Sequence, residues 1–370
     1  MILAFDTEND TYSKGSVFDG RFNHVCLSYS TDSGLSGVCF TPEERGVFCR
    51  LLETADVVVG FNLKYDLHVL RKLGITFPNT RYWCGQVAEF ILGRQESAYP
   101  SLNEAAARYG LQLKDDRVSA YWAEGVQTSA IPREVLREYA LHDAELHLGV
   151  YLNQIKRVKP HQEKLLSLHM QDLMVLVDME WNGMALDEEL SLRKADEIET
   201  QISSIKDKLS IHHSVPTFNW SSNDHLSALL YGGTISVDHR IPAGTYKSGK
   251  KAGEVRYKIE TQEYHLPRQF KPIGGSETSK ERVYKVDEPT LQKLGKSDLL
   301  EGILEIKKLE KLNGTYFRGV PSHRELTFQE KGFVHPQFNQ CVTRTGRLSC
   351  VKPNLQNCPF EFDVIFISRF

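Results

Sequence analysis

The sequence lacks the features of a secreted or membrane-inserted protein. No apolar run in its 370 residues approaches the roughly 20 residues that a membrane-spanning helix needs. The apolar N-terminus ends at Asp6, too early for a signal peptide. The seven cysteines are odd in number and form no C-x-x-C pair, which argues against a disulfide framework and structural zinc. We therefore expect a cytoplasmic protein.

A strong charge of one sign is also lacking. The formal net charge is -3, so a nucleic-acid partner would have to be bound by local basic clusters rather than by the global field. With 41% hydrophobic and 25% charged residues, the composition is that of an ordinary globular protein. The length exceeds the usual range of one domain, which predicts two or three cores.

Residues 1–155 alternate strand-like and helix-like patterns. The strand-like segments are ILAF, HVCLSYS, GVCF and DVVVGF, which predicts an α/β domain. From Pro132, a long helix is predicted to close this domain. One face of that helix carries Leu136, Tyr139, Asp143, Leu146 and Val150. His142 and His147 flank this face, and we interpret them as surface or interdomain residues.

The remaining chain reads as mainly helical from about 161 to 235, with a further helix near 298–312 and strand- and turn-like residues at the end. Residues 240–285 contain eleven Lys or Arg against five Glu and no Asp, with tyrosines interleaved. This composition suits a flexible element that grips nucleic acid, and it equally suits a solvated loop or hairpin. The lysines that would contact DNA are Lys247, Lys250 and Lys251.

Four carboxylates are candidate metal ligands. Asp6 and Glu8 share one face of a strand because side chains alternate with a period of two, although a polar strand end would look the same. Asp66 falls on a helix face between Leu63 and Leu70, where a buried carboxylate needs a partner. That partner is either a metal or an Arg or Lys from elsewhere. Asn62 precedes this helix and is also a candidate cap.

Asp143 adds a fourth carboxylate, four residues after Tyr139 on one helix face, where packing at a helix edge is the alternative. Four carboxylates in one α/β domain can hold two ions, and oxygen-only ligands select Mg²⁺ or Mn²⁺ over zinc. Two such ions support phosphodiester hydrolysis. Tyr139 would orient the attacking water or help to deprotonate it.

The segments FDTEN, GFNLKYD and YALHD resemble the three motifs of DEDD-type 3′-to-5′ exonucleases, in the subclass with tyrosine. The resemblance implies a ribonuclease H-like fold and removal of nucleotides from a 3′ end. It also implies metal ligation by Asp6, Glu8, Asp66 and Asp143, assistance by Tyr139, and contacts to the terminal nucleotide by Thr7, Asn62 and Tyr65.

The segment VHPQFNQCVTRTGRLSCVKPNLQNCP resembles the start of the palm of family A DNA polymerases. The resemblance implies primer–template contacts by Arg347, Asn354, Gln356 and Asn357. DMEWNGMALD and ILEIKKLEKLNGTYF resemble the polymerase opening and the thumb. The implied domains are a proofreading exonuclease at 1–155, a mainly helical thumb at 156–330 with a basic insertion at 236–285, and the start of an α+β palm at 331–370.

The D-Y-S-x-x-E and H-D-E palm motifs and the fingers motif of that family have no match in these residues. We therefore expect no nucleotide addition by this chain alone, and a second polypeptide, as in a phage-like split replication polymerase. The alternatives are a free-standing exonuclease and a non-catalytic DNA-binding or assembly subunit. The alternating apolar residues from Phe362 to Phe370 predict a terminal strand that such a partner would cover.

Overall fold

The computed structural model describes residues 1–114, 117–209, 215, 217–245, 247, 253–323 and 332–367. Lys250, Lys251 and Phe370, which carried sequence predictions, lie outside these ranges. The chain forms two compact units, Met1–Asp187 with Val320–Phe370, and Glu188–Gly319. Within the described ranges, no helix has both the length and the apolar character needed to cross a membrane.

The first unit is built on a five-stranded mixed sheet of order β3-β2-β1-β4-β5. Its β2 strand is antiparallel to β1 and β3, whereas β4 and β5 run parallel to β1. All four residues of β4 are buried, as expected for a parallel strand inside a sheet. The strands are β1 (Ile2–Asn9), β2 (His24–Thr31), β3 (Ser36–Cys39), β4 (Val57–Gly60) and β5 (Arg81–Cys84). The predicted mixed α/β architecture is confirmed.

Helices cover both faces of this sheet. The helices are α1 (Gly46–Thr54), α2 (Leu63–Lys72), α3 (Gly85–Leu92), α4 (Leu102–Tyr109), α5 (Arg117–Ala123), α6 (Arg133–Ile155) and α7 (Pro160–Asn182). Leu3 and Phe5 of β1 belong to a core cluster with residues of α1, α2, α3 and α7, whereas Ala4 packs with Tyr151 of α6. Because side chains alternate along β1, its even-numbered residues face α6.

Gly183 ends α7 with φ +60°, and a Cβ there would lie 2.7 Å from the carbonyl oxygen of Val334. Only glycine fits such a position without strain. The two-residue strand β6 (Met184–Ala185) follows directly.

The second unit combines helices with a long hairpin. Its helix α8 (Glu188–Leu209) packs on α11 (Asp298–Lys311), where Lys206 Nζ lies 3.0 Å from Glu310 Oε1. A short helix ends just before Gly232-Gly233, within the stretch predicted to be mainly helical, and the Ser222 side chain caps its start. The other elements are α9 (Asn223–Tyr231), β7 (Gly233–Thr245), β8 (Val255–Leu266), α10 (Glu288–Lys293), a π-helix (Leu312–Phe317) that directly follows α11, and α12 (Gly319–Ser322), the last of which extends beyond the unit.

The C-terminal segment returns to the first unit. Strand β9 (Phe333–Val334) pairs with β6, and β10 (Gln337–Asn339) pairs with β11 (Ser349–Val351). The predicted terminal strand is wrong, because residues Phe360–Ile365 form a 3₁₀ helix. Phe362 and Ile365 are both fully buried, and their spacing of three is the period of that helix. Alternation of apolar residues therefore did not reflect a strand here.

Candidate functional site

Strand β1 places two carboxylates on the face that α6 covers. Glu8 is buried, and Asp6 is partly buried two residues before it. The predicted shared face is confirmed, since both side chains point to the side on which Ala4 packs against α6. The other face of β1 is apolar up to Thr7.

Helix α6 brings the third carboxylate. Asp143 is fully buried and Tyr139 is 5% exposed, one helical turn earlier. One oxygen from each of Asp6, Glu8 and Asp143 can be chosen so that all three lie within 4.8 Å of one another. Oδ1 of Asp143 is buried without a hydrogen-bond partner among the described residues. A buried polar atom that lacks a partner is costly, and a cation would satisfy this one.

Asp66 lies next to this group but is not a member of it. It is buried in the first turn of α2, and its Oδ1 accepts a hydrogen bond of 2.6 Å from the Thr7 hydroxyl. Since Thr7 lies between Asp6 and Glu8 on β1, this bond ties the start of α2 to the strand that carries two of the ligands.

The electrostatics of the four carboxyls show the cost of placing them together. Burial raises the pKa of Asp6 and Asp143, and it raises the pKa of Glu8 and Asp66 well above the usual range. Repulsion by Asp6 adds to the increase for Glu8, Asp66 and Asp143. Bound cations would offset this repulsion.

A lysine that the sequence did not single out lies in the same site. The Lys114 ammonium group donates to Oδ2 of Asp143 and lies 3.3 Å from the Tyr139 hydroxyl. Lys114 lies in no recognisable sequence motif. Only its contact with Asp143, 29 positions further along the chain, identifies it as part of the site. For the buried carboxylate of Asp66, the sequence is compatible with a lysine from elsewhere as one possible partner. A lysine is present in the site, but it contacts Asp143.

His147 corrects another expectation. We interpreted it as a surface or interdomain residue, but it is 4% exposed. Its Nδ1 lies 3.0 Å from the carbonyl oxygen of Phe5, and its Nε2 lies 4.0 Å from Oδ1 of Asp6. Burial lowers the pKa of His147 to about 4, so the ring is neutral at pH 7. The i, i+4 spacing from Asp143 turns this ring towards β1.

The residues predicted to contact the terminal nucleotide lie around α2 and β1. Asn62 is exposed at the start of α2 with φ +64°, and its side chain makes no capping bond. The Tyr65 hydroxyl donates to the carbonyl oxygen of Gly15 at 2.8 Å and accepts from the Asn9 amide at 3.1 Å. The Thr7 hydroxyl is occupied by Asp66.

The predicted primer–template residues lie in the C-terminal segment. Arg347, Gln356 and Asn357 are exposed. Asn354 is also exposed. Its side-chain oxygen accepts a hydrogen bond of 3.2 Å from the backbone amide of Gln356, which fixes the turn at the start of a short 3₁₀ helix. Lys247 is exposed beyond the end of β7.

Comparison with known proteins relates both units to DNA polymerases. A sequence model of DNA polymerase family A matches residues 264–366. The thermostable DNA polymerase I of Thermus thermophilus is 31% identical over 274 residues, which cover 69% of this chain and 27% of that protein. DNA polymerase I of Bacillus subtilis is 24% identical over 305 residues, covering 82% of this chain and 30% of that protein.

A solved structure shares the fold. The POL domain of Pol1 from M. smegmatis, in complex with DNA primer-template and dNTP, superposes with a TM-score of 0.67 at 18% identity, covering 98% of this chain and 53% of that chain. This chain spans 27% and 30% of the two polymerase sequences above. On these matches, the chain belongs to DNA polymerase family A.

Proposed function

We propose that the chain removes nucleotides from the 3′ end of DNA with the help of two divalent ions. We also propose that it forms part of a DNA polymerase and contributes to the binding of the primer–template. The convergence of Asp6, Glu8 and Asp143 carries the nuclease proposal. The buried Oδ1 of Asp143, which has no hydrogen-bond partner among the described residues, supports it, because a bound cation would compensate the cost of burying this atom.

The donor set fits Mg²⁺ or Mn²⁺, which prefer oxygen ligands. Asp6, Glu8 and Asp143 would hold the ions together with the neighbouring Asp66. When bound, the ions would stabilise negative charge on the attacking and leaving oxygens of phosphodiester hydrolysis.

The chain's own side chains would position the reactants. The Tyr139 hydroxyl, one turn from Asp143, would orient the attacking water. Asn62 is exposed and does not cap α2, so its amide is free to contact the terminal nucleotide. Thr7 holds the Asp66 carboxylate.

The nuclease proposal is tested with 5′-labelled single-stranded DNA and Mg²⁺, Mn²⁺ or EDTA. We expect a ladder of products shortened from the 3′ end, no products in EDTA, and none from a strand with a blocked 3′ end. Asp143→Asn should abolish the ladder. Asp172→Asn, at an exposed position of α7, is the matched control. Equal rates for the two variants would refute the site.

DNA synthesis is proposed for the complete polymerase, because these 370 residues contain neither the D-Y-S-x-x-E nor the H-D-E motif. The carboxylates for nucleotide addition would come from further residues of the same polypeptide or from a second polypeptide. The family match across residues 264–366 supports this function. The primer–template in the solved Pol1 complex supports DNA as the partner of Arg347, Asn354, Gln356 and Asn357.

Binding of a fluorescent primer–template tests this second part. Removal of one contacting arginine costs about 1–3 kcal/mol of binding free energy, so Arg347→Ala should weaken binding by roughly tenfold or more. Arg50→Ala, at an exposed position of α1, should leave binding unchanged. An unaltered affinity of Arg347→Ala would remove this residue from the interface.

A further inference from the structure

The side chain of Lys114 joins the two functional residues of α6. It enters the site from the loop after α4, where its backbone amide donates to Oδ1 of Asn103 at 3.1 Å. The preceding carbonyl, that of Leu113, lies 3.1 Å from Nε2 of His142 on α6. The loop is thus attached to both α4 and α6, and these contacts fix the point from which the lysine reaches inward.

The Lys114 ammonium group lies close to both Tyr139 and Asp143, which are four residues apart on α6. It donates to Oδ2 of Asp143, lies 3.3 Å from the Tyr139 hydroxyl, and sits 5.3 Å from the centre of the Tyr139 ring. Only 26% of the Lys114 side chain is exposed. An ammonium group has three protons and no lone pair, so it must donate to the Tyr139 oxygen. The hydroxyl proton of Tyr139 is then directed away from Lys114, and the Asp143 carboxylate is the neighbouring side chain to which the hydroxyl hydrogen-bonds.

Because of this contact with Lys114, the two carboxylate oxygens of Asp143 have different surroundings. Oδ2 is occupied by Lys114, whereas Oδ1 has no partner among the described residues. A carboxylate oxygen can thus remain available to a metal while the other oxygen holds the lysine. Burial raises the pKa of Asp6, Glu8 and Asp66, and the positive charge of Lys114 acts in the opposite direction on all three.

We propose that Lys114 is a positioning residue for hydrolysis, which holds the Tyr139 hydroxyl in a fixed place beside the Asp143 carboxylate, so that the hydroxyl can orient the attacking water. The inference rests on the proposed nuclease function. Lys114 acts through Tyr139, and it need not touch the substrate. Its contribution should therefore appear in kcat and should depend on the presence of the Tyr139 hydroxyl.

A double-mutant cycle on the full chain tests this role at saturating Mn²⁺. Lys114→Met should lower kcat by about 10- to 100-fold, since a small misplacement of a reacting group has effects of this order, and should leave KM within about twofold. Lys114→Arg should restore part of the rate. The Tyr139→Phe and Lys114→Met double variant should be no slower than Tyr139→Phe alone, because the two side chains act as one unit. Lys156→Met, at an exposed position, is the control.

A second measurement separates positioning from competition with metal. Mn²⁺ titration calorimetry should show an affinity for Lys114→Met that is equal to or moderately higher than that of the wild type, because Asp143 Oδ1 remains available in both and the repulsive ammonium charge is removed. Tighter Mn²⁺ binding without loss of kcat would mean that the ammonium competes for the metal position, and it would overturn the proposal. Additive losses in the double variant would overturn it too. A wild type without metal-dependent hydrolysis would refute the nuclease function itself, and the role of Lys114 with it.

Discussion

Nε2 of His68 lies 2.9 Å from Oε2 of Glu180, and this contact joins α2, which carries Asp66, to α7 inside the first unit. Oε1 of the same carboxylate accepts a hydrogen bond of 2.6 Å from the backbone amide of Phe338 on β10, and it contacts the ammonium group of Lys64. One buried carboxylate therefore connects three segments, and the helix that holds Asp66 is fixed to the C-terminal segment.

We expect Glu180→Ala to destabilise the first unit strongly. The change removes the partner of the Phe338 amide and the only carboxylate that the mostly buried Lys64 ammonium contacts among the described residues, so that Lys64 keeps only its bond to the carbonyl oxygen of Phe338. Breaking a buried ion pair costs about 3–5 kcal/mol of unfolding free energy. Urea unfolding measures the loss. Asp178→Ala removes an ion pair with Arg71 in which the carboxylate is 63% exposed, and it should cost less than about 1 kcal/mol. Equal losses would contradict the structural role of Glu180.

The pH dependence of unfolding should carry a contribution from His68. Burial lowers the pKa of His68 below its ordinary 6.5, although Glu180 opposes the shift. The unfolded chain therefore binds the proton first as the pH falls below 6.5, and the native state loses stability. The expected contribution is up to about 1.4 kcal/mol per pH unit below that value. The pKa of Glu180 is also lowered, so the native state loses further stability when the pH falls low enough to protonate this carboxylate.

The measurement compares wild type and His68→Gln by urea unfolding at pH 5, 6 and 7 in EDTA. The raised pKa values of the acidic site produce the opposite slope, so the prediction concerns the difference between the two proteins. His68→Gln should lose less stability between pH 7 and pH 5. Parallel curves would mean that His68 does not titrate differently in the folded chain.

Local patterns were sufficient for the elements that carry the ligands. The spacing of Asp6 and Glu8 in an apolar strand predicted their shared face, and the helical spacing of Tyr139 and Asp143 predicted the inner face of α6. These inferences depend only on the geometry of one element. The buried position of Asp66 between two leucines was predicted for the same reason.

Long-range contacts were not accessible in this way. The Lys114 ammonium meets Asp143 across a loop, and Glu180 meets Lys64 across 116 residues. His147 was misplaced because its ring is turned towards β1, which the sequence of α6 does not show. The terminal 3₁₀ helix was mistaken for a strand because Phe362 and Ile365 are buried by other segments, and burial by other segments leaves no local pattern.

The acidic site should cost stability in the absence of metal. Burial, with repulsion by Asp6 and Asp143, raises the pKa of Glu8 well above its usual range, so this group destabilises the native state as the pH rises through its folded pKa. In EDTA at pH 8, we expect Glu8→Gln to be more stable than wild type by about 1 kcal/mol or more. Mg²⁺ at about 100 times its Kd should stabilise wild type by about 2.7 kcal/mol and the variant much less. Equal stabilisation of both proteins would argue against Glu8 as a ligand.

The hairpin of β7 and β8 provides the last prediction. Its strands pair from Gly233 with Leu266 to Thr245 with Val255. Three exposed basic residues, Arg240, Arg256 and Lys258, lie in the half of the strands near the Thr245–Val255 pair, and Lys247 is exposed beyond the end of β7. Lys250 and Lys251 belong to the same stretch of sequence but lie outside the described residues. If this end binds phosphates, each phosphate contributes about −0.9 to the slope of log affinity against log salt.

Replacement of Lys247, Lys250 and Lys251 with Gln should therefore weaken duplex binding and flatten the salt dependence, by up to about 0.9 for each phosphate that is no longer bound. The same removal of three charges at Lys293, Lys296 and Lys311, which are exposed in the same unit, should leave the slope unchanged. Because binding to phosphates carries no sequence information, the decrease in affinity should be equal for duplexes of different sequence. An unchanged slope in the hairpin variant would mean that its lysines are only solvated, and a decrease confined to one sequence would point to base recognition instead.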